Sequence, residues 1–165
     1  MSTPPLYRLA LTAFHDARAR LDENLDAVID SGRALVSAME AAYWVNALDL
    51  RLRKDDPSYK QLDGDGPDLI RALRFVRNRA AHQLPLVVEP TGGIRAPLTF
   101  PLTVEPLVIR WASGASLPPA DERHEDPKGE ALYAKRIEGR EVRDVLKDVD
   151  RWLSTEQSRP GSLLN

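Results

Sequence analysis

A run of six residues carries the side chains best suited to chemistry in this sequence: Arg77-Asn78-Arg79-Ala80-Ala81-His82. An arginine side chain presents a planar fork of N–H donors that matches the oxygens of a phosphate. A histidine can accept or donate a proton near neutral pH, and an amide such as that of Asn78 can position either group. These are the groups needed to cut RNA without a metal ion.

Helical periodicity places this run on a helix that begins near Pro67 and ends at about Gln83, before the helix-stopping Pro85. One side of this helix is predicted to face a core and is apolar: it carries Leu69, Leu73, Val76, Ala80 and Leu84. The opposite side carries a polar stripe: Arg71, Arg74, Asn78 and His82. Within the polar stripe, Asn78 and His82 are four positions apart, so their side chains can touch.

Phe75 and Arg77 border the polar stripe. Phe75 lies close to His82 on the helical wheel, and an aromatic residue beside a basic stripe predicts an exposed contact surface for a second subunit or for a base. Arg77 lies about 140° from His82, at the edge of the core face. One phosphate would therefore meet both groups only if the long Arg77 side chain swings round or if a second copy of the chain supplies one of them.

The segments before this helix predict two long helices. No proline occurs between Leu6 and Asp56, and apolar residues recur every three or four positions. Ser31-Gly32 predicts the break between the two helices. The second helix, from about Ala34 to about Arg53, is apolar around most of its circumference, which indicates burial on two sides, within a bundle or against a partner subunit.

The segment after Pro85 is predicted to be a proline-rich insert that contains β-structure. Eight prolines between Pro85 and Pro127 disfavour long helices. Short β-prone runs such as Leu107–Trp111 predict a small β-hairpin or meander, which would be followed by a mobile loop from Leu117 to Lys128 and an extended segment from Ala131 to Ile137.

A final amphipathic helix begins after Gly139, and one side of it is apolar: Val142, Val145, Leu146, Val149, Trp152 and Leu153. The predicted fold is mainly α, a single domain over residues 1–165. It is an up-and-down helical bundle with the β-containing insert at residues 85–137 before the last helix.

The composition excludes several classes of function. The chain of 165 residues has no cysteine, so disulfides, thiolate zinc sites and cysteine nucleophiles are absent. It lacks both an apolar run of about 20 residues that could cross a membrane and the features of a secretory signal, which predicts a cytoplasmic protein. We expect no metal and no cofactor. The net charge of −2 means that any contact with RNA must be local.

The pattern Arg77-Asn78-x-x-x-His82 resembles the active-site signature of the HEPN superfamily (higher eukaryotes and prokaryotes nucleotide-binding domains). That signature is an arginine, commonly followed by a polar residue such as asparagine, and a histidine four to six residues after the arginine, late in an α-helical bundle. The two long helices before the motif and the closing helix also resemble this fold. The β-containing insert departs from a minimal HEPN bundle.

The resemblance implies a metal-independent endoribonuclease that acts as a homodimer, with the signatures of both copies in one cleft. It also implies a toxin or antiphage-defence role and a possible antitoxin or other inhibitory partner. The ribose 2′-OH would attack the adjacent phosphate, leaving a 2′,3′-cyclic phosphate and a 5′-OH. His82 would act as general acid or base, Arg77 would stabilise the charge on the phosphate, and Asn78 would orient one or the other.

In this reading three arginines hold the RNA strand: Arg71, Arg74 and Arg79. Phe75 is expected in the dimer interface. Two alternatives stay open. A catalytically inactive HEPN module would use the same face to bind a partner protein or a nucleotide, and a plain helical scaffold would carry Arg77 and His82 only as solvated surface residues.

Overall fold

The computed structural model describes residues 6–27, 31–83, 88–93, 105–119 and 125–165, with the backbone alone at residues 81–83, 88–90, 93 and 105. Over these ranges the chain forms six α-helices and one two-stranded antiparallel sheet, which confirms the predicted mainly helical fold with a small sheet. The elements are α1 (Leu6–Asp26), α2 (Ser31–Asp55), α3 (Pro57–Lys60), α4 (Asp65–Gln83), β1 (Val88–Gly93), β2 (Glu105–Trp111), α5 (Pro127–Arg136) and α6 (Val142–Gln157).

Helices α1 and α2 form an antiparallel pair. Asn24 of α1 donates a hydrogen bond to the Ser37 hydroxyl of α2 at 3.2 Å, and Arg20 forms an ion pair with Glu40. Helix α2 begins at Ser31, a few residues earlier than the sequence predicted.

The prediction that α2 is buried on two sides is confirmed, because α1 and α4 both pack against it. Three apolar residues of α2 stay exposed at intervals of seven positions: Val36, Tyr43 and Leu50. An interval of seven keeps side chains on one face of a helix, so these three residues form a single exposed row.

Helix α4 packs antiparallel to α2, and its opposite side packs against α5. The Asn46 amide of α2 donates a hydrogen bond to the Leu73 carbonyl of α4 at 3.4 Å. On the other side, the rings of Phe75 and Tyr133 lie with their centroids 5.4 Å apart. Helix α4 is therefore held between two neighbours, which fixes the direction in which its remaining side chains point.

The prediction of an extended segment at Ala131–Ile137 is wrong, because helix α5 covers most of these residues. Pro127 occupies the first turn of α5, where its fixed φ suits a helix, and the Asp126 carboxylate accepts a hydrogen bond from the Gly129 N–H at 2.9 Å. Tyr133 then anchors the helix in the core. The insert at residues 85–137 thus contains a helix as well as β-structure.

The predicted β-hairpin is confirmed in part, since β1 pairs with β2 antiparallel. The other β-prone runs of the insert lie almost wholly outside the described residues. Ile109 and Trp111 of β2 are buried, and the Trp111 N–H donates to the Arg140 carbonyl at 3.0 Å. Gly139, with φ of 70°, turns the chain toward α6. The predicted apolar side of α6 is buried apart from Trp152, which is half-buried.

Three buried carboxylates tie the α2–α3 connection to α6 and the residues after it. Asp49, Asp56 and Glu156 are between 2% and 5% exposed. They meet two arginines and a tyrosine, and we call the set the carboxylate network: Asp49, Arg53, Asp56, Tyr59, Glu156 and Arg159.

Hydrogen bonds satisfy each carboxylate of this network. Arg159 donates to Asp56 at 2.6 Å and to Glu156 at 2.7 Å, while Arg53 and the Tyr59 hydroxyl donate to Asp49 at 3.0 and 2.9 Å. Burial alone raises the pKa of Asp56, but hydrogen bonds from Ser58, the Tyr59 N–H and Arg159 outweigh it and hold that pKa at about 2. Burial, together with the charge of Asp49, raises the pKa of Tyr59.

Within the described residues, no helix combines the length and apolar character that crossing a membrane requires.

Candidate functional site on helix α4

The two sides of α4 differ in exposure as the sequence predicted. Leu69, Leu73 and Val76 of the predicted core face are buried, and Ala80 packs against the core. The structure also buries Ile70, Ala72 and Phe75, so that the helix is covered over more than half of its circumference. The side chains left partly exposed are Arg71, Arg74, Arg77, Asn78 and Arg79.

The four arginines of α4 have no acidic partner among the described residues, whereas most other arginines in that part of the chain have one. Many of those other arginines pair with an aspartate or glutamate: Arg18, Arg20, Arg51, Arg53, Arg110, Arg136, Arg140, Arg143, Arg151 and Arg159. Over the same ranges, no carboxylate comes within 4.0 Å of an α4 guanidinium. A chain of net charge −2 therefore carries local positive charge on this helix that its described carboxylates do not neutralise.

Arg77 is held by two contacts that bring its guanidinium toward the polar stripe. Its Nη1 donates a hydrogen bond to the Asn78 Oδ1 at 3.0 Å, and its Cζ lies 5.9 Å from the centroid of the Tyr43 ring on α2. The sequence left open whether a side chain at position 77 could reach that stripe. The contact with Asn78 shows that it does.

The Arg77 contact also decides which part of Asn78 is free. A guanidinium can only donate hydrogen bonds, so the atom that it meets must be the amide oxygen. The NH2 group of Asn78 donates to no acceptor among the described residues and so remains available there as a donor. A donor suits an anionic oxygen, such as that of a phosphate.

The side chain of His82 lies outside what the structure describes. The backbone of α4 continues through this position to Gln83. Because one helical turn takes 3.6 residues, positions 78 and 82 lie on the same face of the helix, one turn apart. Positions 71, 74, 78 and 82 therefore follow one line along α4, as the sequence predicted.

Two of the predicted site residues lie elsewhere. The exposure predicted for Phe75 is wrong: the side chain is 5% exposed and packs against Tyr133 of α5, so it is not available to a second subunit. Arg79 donates to the Pro118 carbonyl and lies over the Phe75 ring, with its Cζ 5.7 Å from the centroid. These two contacts hold the Arg79 guanidinium beside Phe75, and its predicted role in holding RNA stays a prediction. We call the remaining set, Arg71, Arg74 and Arg77, the arginine face.

Tyr43 is a residue that reasoning from the sequence did not assign to the site. The second helix is predicted to be buried around most of its circumference, but Tyr43 on this helix is 47% exposed and lies beside Arg77. The interval of seven positions among Val36, Tyr43 and Leu50 could have indicated an exposed row.

The described residues contain no cluster of three or more His, Cys, Asp or Glu side chains that could hold a metal ion. No protein-family model matches the chain, and no curated protein or solved structure matches it. The resemblance to the HEPN superfamily accordingly depends on the motif residues and on the helical architecture.

Proposed function

We propose that this protein is a metal-independent endoribonuclease of the HEPN type. The observation that carries the proposal is the arginine face, which has no acidic partner among the described residues and adjoins the Arg77–Asn78 contact. Partly exposed arginines without carboxylates nearby suit a ligand that brings its own negative charges at regular intervals. The line of positions from 71 to 82 supports an RNA strand as that ligand.

In the proposed reaction, the ribose 2′-oxygen forms a bond to the adjacent phosphorus while the bond from phosphorus to the 5′-oxygen breaks. His82 moves the protons: one leaves the 2′-OH and one reaches the departing 5′-oxygen, from the same imidazole or from that of a second copy. The products are a 2′,3′-cyclic phosphate and a 5′-OH. No redox step and no metal is required.

The remaining site residues stabilise charge and hold the strand. The N–H groups of Arg77 that Asn78 does not engage would bind the non-bridging oxygens, whose negative charge grows in the transition state. The free NH2 group of Asn78 would donate to the same phosphate. Arg71 and Arg74 would bind the neighbouring phosphates.

We further propose that the enzyme is a homodimer in which each copy contributes Arg77 and His82 to a shared cleft. Since Phe75 is covered by α5, the contact between the copies must involve other residues. A toxin or antiphage-defence role, with an inhibitory partner, is the setting that the HEPN resemblance favours. Sedimentation velocity tests the dimer, and a monomer at micromolar concentration would contradict it.

The experiment for the proposed activity incubates purified protein with end-labelled RNA in the presence of EDTA. We expect cleavage products that carry a 2′,3′-cyclic phosphate and a 5′-OH, identified by mass spectrometry, and no cleavage of RNA that is 2′-O-methylated throughout. His82→Ala and Arg77→Ala should each lower the rate by about 100-fold or more. Arg110→Ala is the matched control, because Arg110 is an exposed arginine on β2 that pairs with Glu141.

The other outcomes separate the alternatives. RNA binding without cleavage would support an inactive module. Neither binding nor cleavage, with Arg77→Ala and His82→Ala indistinguishable from wild type, would support a plain helical scaffold.

A further inference from the structure

Tyr43 contacts the one arginine to which the proposed mechanism gives a role in the reaction itself. Its ring lies 5.9 Å from the Arg77 Cζ, and the neighbouring Trp44 ring meets it edge-on, with centroids 5.2 Å apart and planes at 79°. We infer that Tyr43 is a positioning residue for Arg77 in RNA cleavage. This inference rests on the proposed function.

The physical reason lies in the freedom of the arginine side chain. Arg77 begins at the edge of the buried side of α4, and its long chain has many rotamers, so fixing one of them costs conformational entropy. The Tyr43 ring attracts the guanidinium through a cation–π contact while the Asn78 oxygen accepts one of its hydrogen bonds. Two contacts from two different residues thus restrict the plane of the guanidinium before any RNA binds.

A positioning role of this kind acts on the chemical step. Hydrogen-bond donors stabilise the transition state most when they already point to the position where negative charge develops on the phosphate. A loosened Arg77 would still attract RNA by its charge but would stabilise the transition state less well. The expected consequence is a lower kcat with a nearly unchanged KM.

The exposed row on α2 provides a control for this inference. Leu50 lies seven positions after Tyr43, about two helical turns further along α2, and is 52% exposed. The part of Tyr43 that meets Arg77 is its aromatic ring. A phenylalanine at position 43 should therefore retain the function, whereas an aliphatic residue of similar size should not.

The experiment compares Tyr43→Leu, Tyr43→Phe and Leu50→Ala under steady-state conditions. Tyr43→Leu should lower kcat by about three- to tenfold with KM within about twofold of wild type, since a partly exposed cation–π contact is weak. Tyr43→Phe and Leu50→Ala should cleave as wild type does. Circular dichroism melts should be alike for all four proteins, because both positions are about half exposed.

A second readout follows Arg77 directly. The Nε–H signal of Arg77 in a ¹⁵N-labelled sample, assigned by its loss in Arg77→Ala, should carry the ring-current shift of Tyr43. Tyr43→Leu should remove that shift and Tyr43→Phe should keep it. Slower cleavage by Tyr43→Leu with an unmoved Arg77 signal would mean that the ring acts on RNA itself and would overturn the inference.

Failure of the positioning role can be distinguished from failure of the proposed function. A wild-type protein that cleaves RNA, together with a Tyr43→Leu variant that cleaves equally fast, overturns the positioning role alone. A wild-type protein that cleaves no RNA overturns the proposed function, and the role of Tyr43 with it.

Discussion

In the carboxylate network, Arg53 and Arg159 each meet carboxylates that are almost fully buried, whereas on the arginine face Arg71 and Arg74 meet none among the described residues. The cation in both regions is an arginine guanidinium. In the first, every charge has a partner within the chain, and removing one partner would leave another charge buried and unpaired. In the second, no carboxylate among the described residues supplies a partner.

The difference separates charges that hold the fold from charges that are free to bind. An arginine paired with buried carboxylates contributes to folding and is unavailable to a ligand. A partly exposed arginine without a carboxylate contributes little to folding, and its charge stays available to a polyanion. The comparison therefore predicts opposite responses when arginines of the two regions are replaced.

The largest expected effect is on stability, from Arg159→Ala. This change leaves Asp56 and Glu156 buried without their shared cation, and the free energy of unfolding should fall by about 4 kcal/mol. Arg74→Ala, the matched control on the arginine face, should change it by less than about 0.5 kcal/mol. Urea unfolding measures both, and equal losses would show that the two regions do not differ in this way.

Phe75→Ala tests where the arginine face ends. Since Phe75 is buried against Tyr133, we expect the free energy of unfolding to fall by about 3 kcal/mol, as for other large-to-small changes in a core. The sedimentation coefficient of the folded variant should stay that of wild type. A change in self-association without a loss of stability would place Phe75 at a surface after all.

Arg71→Ala and Arg74→Ala should weaken RNA binding. Each removes one phosphate contact, so the affinity for single-stranded RNA at low salt should fall about fivefold, and the slope of log affinity against log salt should fall by about 0.7. Arg110→Ala, which removes an exposed arginine that is paired with Glu141, should leave both unchanged. Filter binding over a range of salt concentrations measures these quantities, and an equal effect of all three changes would indicate non-specific attraction.

Asp56 should give the carboxylate network a characteristic response to acid. Because its folded-state pKa is about 2 and its ordinary value is 3.8, its ionised form stabilises the protein above pH 4. That contribution is lost as the pH falls toward 2. The stability of wild type should therefore approach that of Asp56→Asn between about pH 4 and pH 2, as followed by thermal melts. A difference that stays constant down to pH 2 would contradict the depressed pKa.

Much of the fold could be predicted because it follows from local periodicity. The lengths of α1 and α2, the core side of α4 and the buried side of α6 are all visible as repeats of three or four residues. Helix α5 was missed because the prolines around it suggested extended chain. Pro127 instead begins a helix that Asp126 caps.

The site was predictable only as far as one helix determines it. A helical wheel identified the polar stripe, but it does not show how many neighbours cover each side, and so it placed Phe75 at the surface. The contact of Arg77 with Tyr43 joins two helices, and the pairing of Arg159 with Asp56 joins residues 103 positions apart. No spacing along the sequence encodes contacts of that kind.

The separation between Arg159 and Asp56 also has a consequence for the folding pathway. We expect contacts between residues so far apart to form late in folding, because closing the loop costs entropy before the contact stabilises the chain. The pairing should thus be absent from the folding transition state. Arg159→Ala would then leave the refolding rate nearly unchanged and accelerate unfolding, so that the network sets how long a folded molecule lasts rather than how quickly it is made.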